Sequence, residues 1–144
     1  MHILLNPMKY KLNRSAHSVY SLHYHLVVVI KYRRKALYDE AIRERLKQII
    51  WSLSDELGIE ILAQEPAEDH HHILFTATPT TNLSTVVNVI KGVTSRRLRQ
   101  EFPQTKEFLL GDSFWSNSYF IASTGQVGLD VLMSYVESQM KREK

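Results

Sequence analysis

Two segments of the chain have the alternating pattern of strands that are buried in a sheet. Val19 to Tyr32 is rich in valine, isoleucine and tyrosine, and His70 to Ala77 is a second apolar run. Because successive side chains of a strand point to opposite faces, His70, His72 and Leu74 share one face. The opposite face of that strand is predicted to carry His71, Ile73 and Phe75. Shorter strands are predicted at Ile59 to Gln64 and at Phe114 to Ser123.

Apolar residues recur at three- and four-residue steps in three other segments, which is the spacing of a helix face. The first predicted helix begins at Asp39 and ends at Gly58. Its apolar stripe is Ile42, Leu46, Ile49, Ile50, Leu53 and Leu57. The second begins at Asn82 or Ser84, with a stripe of Val86, Val89, Ile90, Val93 and Leu98. The third runs from Leu129 to about Lys141, with a stripe of Leu129, Leu132, Val136 and Met140.

The order strand, helix, strand, strand, helix, strand, helix predicts an α+β fold. We expect a ferredoxin-like or RRM-like antiparallel sheet with helices on one face and an added C-terminal helix. No repeat or linker divides the 144 residues, so one domain is predicted over residues 1–144. Residues 1–17 are interpreted as an arm, and residues 129–144 as the C-terminal helix that carries Tyr135.

The composition restricts the chemistry and the location. The chain has no cysteine, so disulfides and thiolate metal ligands are excluded, and any metal must be bound by histidine and oxygen. The longest apolar run, Leu26 to Ile30, is too short to cross a bilayer, and the N-terminus lacks the features of a signal peptide. We therefore expect a soluble cytoplasmic protein with no membrane partner.

The net charge of +3 conceals an uneven distribution. Residues 1–35 contain seven lysines and arginines and no acid, whereas residues 36–70 contain nine acids and three bases. Basic clusters among tyrosines suit a nucleic acid whose bases stack on aromatic rings, although many basic stretches are only solvated surface. The candidate DNA-binding residues are Arg14, Lys31, Arg33 and Arg34, with Lys91, Arg96 and Arg99 on the outer face of the second helix.

Two imidazoles one residue apart on a strand can bind one divalent metal ion, and His70 and His72 have that spacing. The alternative is a polar strand end whose histidines bond to backbone or water. Tyr135 and Gln139 lie one helical turn apart, so they face the same way. A tyrosine hydroxyl beside a metal-bound phosphate can act as a nucleophile, and the amide oxygen of Gln139 can supply another ligand. The alternative for Tyr135 is a partly buried residue at a helix edge.

These residues carry a resemblance to a known family. Asp69-His70-His71-His72-Ile73-Leu74 resembles the HUH motif, histidine-hydrophobic-histidine, and Ser134-Tyr135-Val136-Glu137-Ser138-Gln139 resembles a tyrosine motif. Both are features of the single-tyrosine HUH transposases of the insertion sequence 200/605 group, the IS200-like transposases. Further matching segments are Tyr24-His25-Leu26-Val27, Lys31-Tyr32-Arg33-Arg34, Ile90-Lys91-Gly92 with Ser95-Arg96-Arg97, and Phe114-Trp115-Ser116 followed by Ser118-Tyr119-Phe120. The resemblance extends from about Val19 to Gln139.

The resemblance implies an enzyme that cleaves and rejoins single-stranded DNA at the ends of an insertion sequence. His70, His72 and Gln139 would bind Mg²⁺ or Mn²⁺, and Tyr135 would attack the phosphodiester to give a 5′-phosphotyrosine and a 3′-hydroxyl. The family recognises DNA hairpins and works as a homodimer, in which the tyrosine helix of one subunit can complete the histidine site of the other.

One residue departs from the family pattern. The middle position of the motif is usually hydrophobic, and in this chain it is His71, which is either a hydrogen-bonded core residue or a contact to metal or DNA. His23 and His25 have the same spacing as the motif, but they lack its flanking residues. We therefore assign them to supporting positions behind the metal ligands or to DNA contacts.

Two other functions remain open. One is a non-catalytic module that binds single-stranded nucleic acid through the sheet and its tyrosines. The other is a domesticated relative that acts on chromosomal hairpins with the same chemistry.

Overall fold

The structure is a computed structural model that describes residues 22–109, 111, 113–123, 134 and 138, and the backbone of residues 13–14 and 19–20. The strands are β1 Asn13–Arg14, β2 Val19–Tyr20, β3 Leu22–Ile30, β4 Glu60–Pro66, β5 His70–Ala77 and β6 Trp115–Ser123. The helices are α1 Glu40–Leu57 and α2 Leu83–Glu101. Short 3₁₀ turns occupy Lys31–Arg33 and Pro103–Glu107.

The main sheet is antiparallel, with strand order β4-β5-β3-β6. The two helices connect β3 to β4 and β5 to β6, which is the ferredoxin-like arrangement that the order of elements predicts. One predicted strand is wrong in its extent. Val19–Tyr20 pairs with β1 in a separate two-stranded sheet, and the main strand ends at Ile30 because Tyr32 has a left-handed backbone, with φ 58°.

The helix ends follow the predicted signals. The Asp39 carboxylate accepts a hydrogen bond from the amide of Ala41 at 2.9 Å, and Gly58 ends α1 with a left-handed φ of 66°. Asn82, and not Ser84, caps α2, because its side-chain oxygen accepts from the amide of Thr85 at 3.1 Å.

The core lies between the helices and one face of the sheet. The stripe of α1 is buried from Ile42 to Leu53, as predicted. In α2 the buried row is Val86, Val87, Ile90, Thr94 and Leu98, while Val89 and Val93 are only partly buried. Thr94 is tolerated because its hydroxyl donates to the carbonyl of Ile90 at 2.6 Å and accepts from the indole of Trp115 at 2.9 Å.

The C-terminal helix that would carry Tyr135 and Gln139 lies outside the described residues, except that Ser134 and Ser138 are helical and exposed. The boundaries of the arm and of this helix stay predictions. No helix among the described residues is long and apolar enough to cross a membrane.

Candidate functional site

His70 and His72 lie on the face of the sheet that points away from the helices. On that face they pair across the strands with Val29 and Val27 of β3, while Ile73 and Phe75 enter the core between sheet and helices, as the alternation predicts. The two rings are 4.8 Å apart between centroids and meet edge to face. Only 8% of His70 and 4% of His72 is exposed. The structure therefore brings the two predicted ligands together in a largely buried position.

His70 is held by the residue before it. Its Nδ1 donates to Asp69 Oδ1 at 2.7 Å, and the other carboxylate oxygen of Asp69 accepts from Arg33 Nε at 3.1 Å. Burial alone would raise the pKa of Asp69, but the hydrogen bond to His70 and the positive charge of Arg33 outweigh it and lower that pKa. Asp69 is consequently a carboxylate that fixes the orientation of the His70 ring.

An unusual turn carries Arg33 to this carboxylate. Tyr32 and Arg33 both have left-handed backbones, with φ of 58° and 53°, which costs roughly 1–2 kcal/mol per non-glycine residue. The turn is tied to the start of β5 because the amide of Ile30 donates to the carbonyl of Asp69 at 2.9 Å. These constraints place the guanidinium of Arg33 beside Asp69, so Arg33 supports the histidine site through that carboxylate.

His72 is held by a histidine of the neighbouring strand. Its Nδ1 lies 3.0 Å from His25 Nε2, a hydrogen bond in which one ring donates and the other accepts. Burial lowers the pKa of His25 to about 4. Burial, with the charge of His70 and the neighbouring rings, lowers the pKa of His72 to about 3. Both rings are therefore neutral near pH 7, which is the form of imidazole that binds metal ions.

His71 belongs to the core on the helix side. It is fully buried, and its Nε2 lies 2.8 Å from the side-chain oxygen of Gln64. Gln64 donates through Nε2 to the carbonyl of Lys47, so its oxygen must be the acceptor and His71 the donor. Burial is the largest cause that lowers the pKa of His71 to about 3. His71 thus links β5 through Gln64 to α1, on the opposite side of the sheet from the other two histidines of the motif.

The donor atoms of the pair fit a divalent metal ion. Each Nδ1 already has a partner, Asp69 for His70 and His25 for His72, so Nε2 is the nitrogen with which each ring would bind a metal. Within the part of the chain that the structure describes, no three histidines or carboxylates are grouped so that they could hold a metal by themselves. Because Mg²⁺ and similar cations take about six ligands, a metal held by the pair would also need ligands such as an amide oxygen, water or a phosphate.

The structure describes some of the remaining predicted site residues. Arg34 and Arg96 are exposed, and the side chain of Arg14 lies outside the described residues. Arg99 Nε donates to the carbonyl of Ser95 at 3.2 Å. Lys91 lies 5.7 Å from the centre of the Tyr119 ring, and burial lowers its pKa. Tyr135 and Gln139 lie outside the described residues, so their distance from the histidines stays a prediction.

The sequence assigned His25 to a supporting position or a DNA contact, but it predicted neither of the two supporting contacts as a specific pair of residues. Asp69 is part of the recognised motif, but its bond to the ring of His70 depends on the backbone turn before β5. The contact of His25 with His72 depends on the register of β3 against β5, which local periodicity does not specify. An acid directly before the motif, and a second pair of histidines in a neighbouring strand, were the available signals.

Comparison with known proteins matches residues 18–139 to a family model described as transposase IS200 like. ISDra2 transposase TnpA from Deinococcus radiodurans is 34% identical over 143 residues, which cover 99% of this chain and all of that protein. The transposase for insertion sequence element IS200 from Salmonella typhimurium is 29% identical over 129 residues, covering 90% of this chain and 84% of that protein.

Solved structures with the same fold include a Deinococcus radiodurans protein assigned as a transposase, with a TM-score of 0.75 and 31% identity over 89% of this chain and 98% of that one. A REP-associated tyrosine transposase bound to a REP hairpin has a TM-score of 0.54 and 16% identity, over 85% of this chain and 68% of that one, which is a likeness of fold alone. The family match covers most of the chain, and its fold is the one that places His70 beside His72. The chain belongs to the IS200-like transposase family.

Proposed function

We propose that this transposase cleaves and rejoins single-stranded DNA at the ends of an insertion sequence, through a covalent bond to Tyr135 and with Mg²⁺ or Mn²⁺. The observation that carries the proposal is the buried pair of His70 and His72, whose Nδ1 atoms both have hydrogen-bond partners. Two rings oriented in this way are suited to present Nε2 to one cation. Gln139 would add an amide oxygen. Bound there, a divalent cation would polarise the phosphoryl oxygens and neutralise the charge that develops during displacement.

In the cleavage step, Tyr135 Oη attacks the phosphorus of the scissile phosphodiester. An oxygen–phosphorus bond forms as the bond from phosphorus to the 3′ oxygen breaks, and the proton lost by tyrosine is balanced by the one that the 3′ oxygen gains as it leaves as a hydroxyl. One phosphate ester bond is thus exchanged for another in the 5′-phosphotyrosine. Attack by a 3′-hydroxyl on that phosphotyrosine therefore rejoins DNA without ATP.

The DNA partner in this proposal is a single strand that carries hairpins near the element's ends. The REP-associated transposase of the same fold was solved with a REP hairpin. In this chain, the exposed Arg34 and Arg96 and the half-buried Lys31, Lys91 and Arg99 are bases that can contact phosphates. Arg33 can contribute only beside its ion pair with Asp69.

A non-catalytic sheet-binding module fits the structure less well. Such modules stack bases on aromatic side chains of an open sheet face. In this chain the face away from the helices has buried Val27, Val29 and Leu74, together with buried histidines, at its centre. A domesticated transposase would share the proposed chemistry and differ only in its DNA substrate.

The test is incubation of the purified protein with labelled single-stranded element ends in Mg²⁺, followed by denaturing electrophoresis. We expect a DNA–protein adduct that survives denaturation, maps to Tyr135 by mass spectrometry, and is absent with EDTA or in Tyr135→Phe. Tyr135→Phe should still bind the hairpin, because only the nucleophilic oxygen is lost. Hairpin binding without an adduct in the wild type would instead favour the non-catalytic module.

We further propose a homodimer in which the tyrosine helix of one subunit serves the histidines of the other. Tyr135→Phe and His70→Ala should each be inactive alone. When their subunits are allowed to exchange, heterodimers would pair one intact tyrosine with one intact histidine pair, and cleavage should partly return. Proven exchange without any recovery would mean that each site is built within a single chain.

A further inference from the structure

The hydrogen bond between His25 and His72 restricts which nitrogen of His72 can carry a proton. In the neutral form in which imidazole binds a metal ion, each ring has one N–H and one lone pair. Their contact joins His25 Nε2 and His72 Nδ1 at 3.0 Å, and it needs one donor. Only two arrangements of protons satisfy it.

The two arrangements have opposite consequences for metal binding. If His25 donates, His72 carries its own proton on Nε2, and that nitrogen cannot bind a cation until the proton leaves. If His72 Nδ1 donates, its Nε2 has a lone pair directed away from His25. Only the second arrangement prepares His72 to be a metal ligand.

His25 is built into the sheet in a way that suits this task. It is 2% exposed, it pairs with Leu74 in β5 and Ala122 in β6, and its ring lies 5.1 Å from that of His72. When His25 accepts through Nε2, its own proton is on Nδ1, which is buried and has no hydrogen-bond partner among the described residues. Because a buried donor without a partner is unfavourable, a purely structural role would be better served by an apolar residue such as the nearby Val27.

We propose that His25 is a positioning residue, which accepts the Nδ1 proton of His72 and thereby leaves the His72 Nε2 lone pair to bind the divalent metal. This inference rests on the proposed function of the histidine pair as metal ligands. His25 does for His72 what Asp69 does for His70, with a neutral acceptor in place of a carboxylate. The metal site is thus supported by a different partner behind each ligand.

The proton position is tested first in metal-free protein, which keeps the test independent of metal binding. In ¹⁵N-histidine-labelled protein with EDTA, long-range proton–nitrogen NMR distinguishes a protonated ring nitrogen from an unprotonated one. We expect a protonated Nδ1 and an unprotonated Nε2 for His72, with resonances assigned through the backbone. The reverse pattern in the wild-type protein would overturn the proposal, whatever the variants do.

The second measurement is Mn²⁺ binding, followed by the EPR signal of unbound Mn²⁺ without DNA. His25→Phe keeps the ring but removes the acceptor, and should weaken Mn²⁺ binding by about 10- to 100-fold, as is typical when a partner behind a ligand is lost. His25→Gln restores an acceptor oxygen, and should recover part of that loss. Unchanged binding in His25→Phe, or an equal loss in His25→Gln at equal thermal stability, would contradict a positioning role.

The same titration separates this inference from the function on which it rests. A wild-type protein that binds no Mn²⁺, while His72 has the expected proton on Nδ1, would overturn the metal site and with it the role of His25 toward a metal. A wild-type protein that binds Mn²⁺ as tightly as His25→Phe does would leave the metal site intact and overturn the role of His25 alone.

Discussion

The two faces of strands β3 and β5 differ although their residues alternate along the same backbone. The face toward the helices is a continuous apolar core, which includes Leu26, Val28, Ile73 and Phe75. The other face has a small apolar cluster around Val27 and Val29, next to the buried rings of His25, His70 and His72. Side chains are thus buried on both faces, but one face is apolar and the other contains polar rings.

This contrast explains why burial alone does not identify the function of a residue. Ile73 and His72 are adjacent, and both are buried. Ile73 stabilises the fold by removing apolar surface from water. His72 is instead buried as a neutral base, and its Nδ1 is hydrogen-bonded to His25. In the proposed function, the free-energy cost of burying these polar rings is offset by their orientation toward a metal ion.

Replacing either of the proposed metal ligands should affect cleavage most. His70→Ala or His72→Ala should reduce the rate of adduct formation by more than about 100-fold, because even a partner behind a ligand is worth 10- to 100-fold. Cleavage of a labelled element end, measured well below the melting temperature, checks this. His23→Ala is the matched control, because His23 lies on the face of β3 that carries His25, and it should reduce the rate less. Loss of cleavage in His23→Ala with activity retained in His70→Ala would mean that the ligand pair is wrongly chosen.

Substitution of the neighbouring core residue should have the opposite profile. Ile73→Ala should lower the free energy of unfolding by about 2–5 kcal/mol, because it leaves a cavity between the sheet and the helices. At a temperature where the variant is folded, Mn²⁺ binding should stay within a few-fold of the wild type. Denaturant unfolding and Mn²⁺ titration of the same preparation check both parts. A variant of unchanged stability that had lost Mn²⁺ would reverse the roles of the two faces.

The buried histidines should make metal-free protein less stable in mild acid. The pKa values of His25, His71 and His72 are lowered to about 4, 3 and 3, so below the unfolded value of 6.5 the unfolded chain binds protons that the folded one does not. The free energy of unfolding is therefore unaffected by these groups above about pH 6.5. As the pH decreases below that value, it falls by up to about 1.4 kcal/mol per pH unit for each histidine. Asp69, whose pKa is also lowered, adds its loss only below about pH 4.

Urea unfolding in EDTA between pH 6.5 and 5 measures this slope. His71→Leu should remove up to a third of it, whatever that substitution does to stability at pH 7. A free energy of unfolding that stayed level over this interval would contradict the assignment of three buried neutral histidines.

The smallest expected effect concerns the outer face of α2. Arg96 is exposed, and Arg96→Ala should lower the slope of log affinity against log salt for hairpin DNA by about one unit, because one phosphate contact is lost. Arg97 provides the control on the same helix, since it lies 3.5 Å from Glu101 in an ion pair. Equal slopes for Arg96→Ala and the wild type would mean that this face of α2 is solvent-exposed surface that does not contact the DNA phosphates.

The sequence predicted the helix-side core better than the histidine face. Periodicity and caps were sufficient for the positions of α1 and α2 and for the fold, although the buried row of α2 includes Val87 and Thr94 in place of Val89 and Val93. The predicted end of the first strand was wrong because the left-handed turn at Tyr32 contains no glycine, the residue that usually indicates such a turn. The facing of His70 and His72 followed from alternation, whereas the bonds to Asp69 and His25 depend on turn geometry and strand register. Those features are fixed only by the tertiary structure.

Pulsed EPR of the Mn²⁺-loaded protein can show whether His70 and His72 together hold one divalent metal ion. With ¹⁵N-labelled histidine, couplings to metal-bound histidine nitrogens can be counted. We predict two such nitrogens in the wild type, one in His70→Ala and two in His23→Ala. No coupled histidine nitrogen in the wild type, or two remaining in His70→Ala, would mean that His70 and His72 do not share a metal ion.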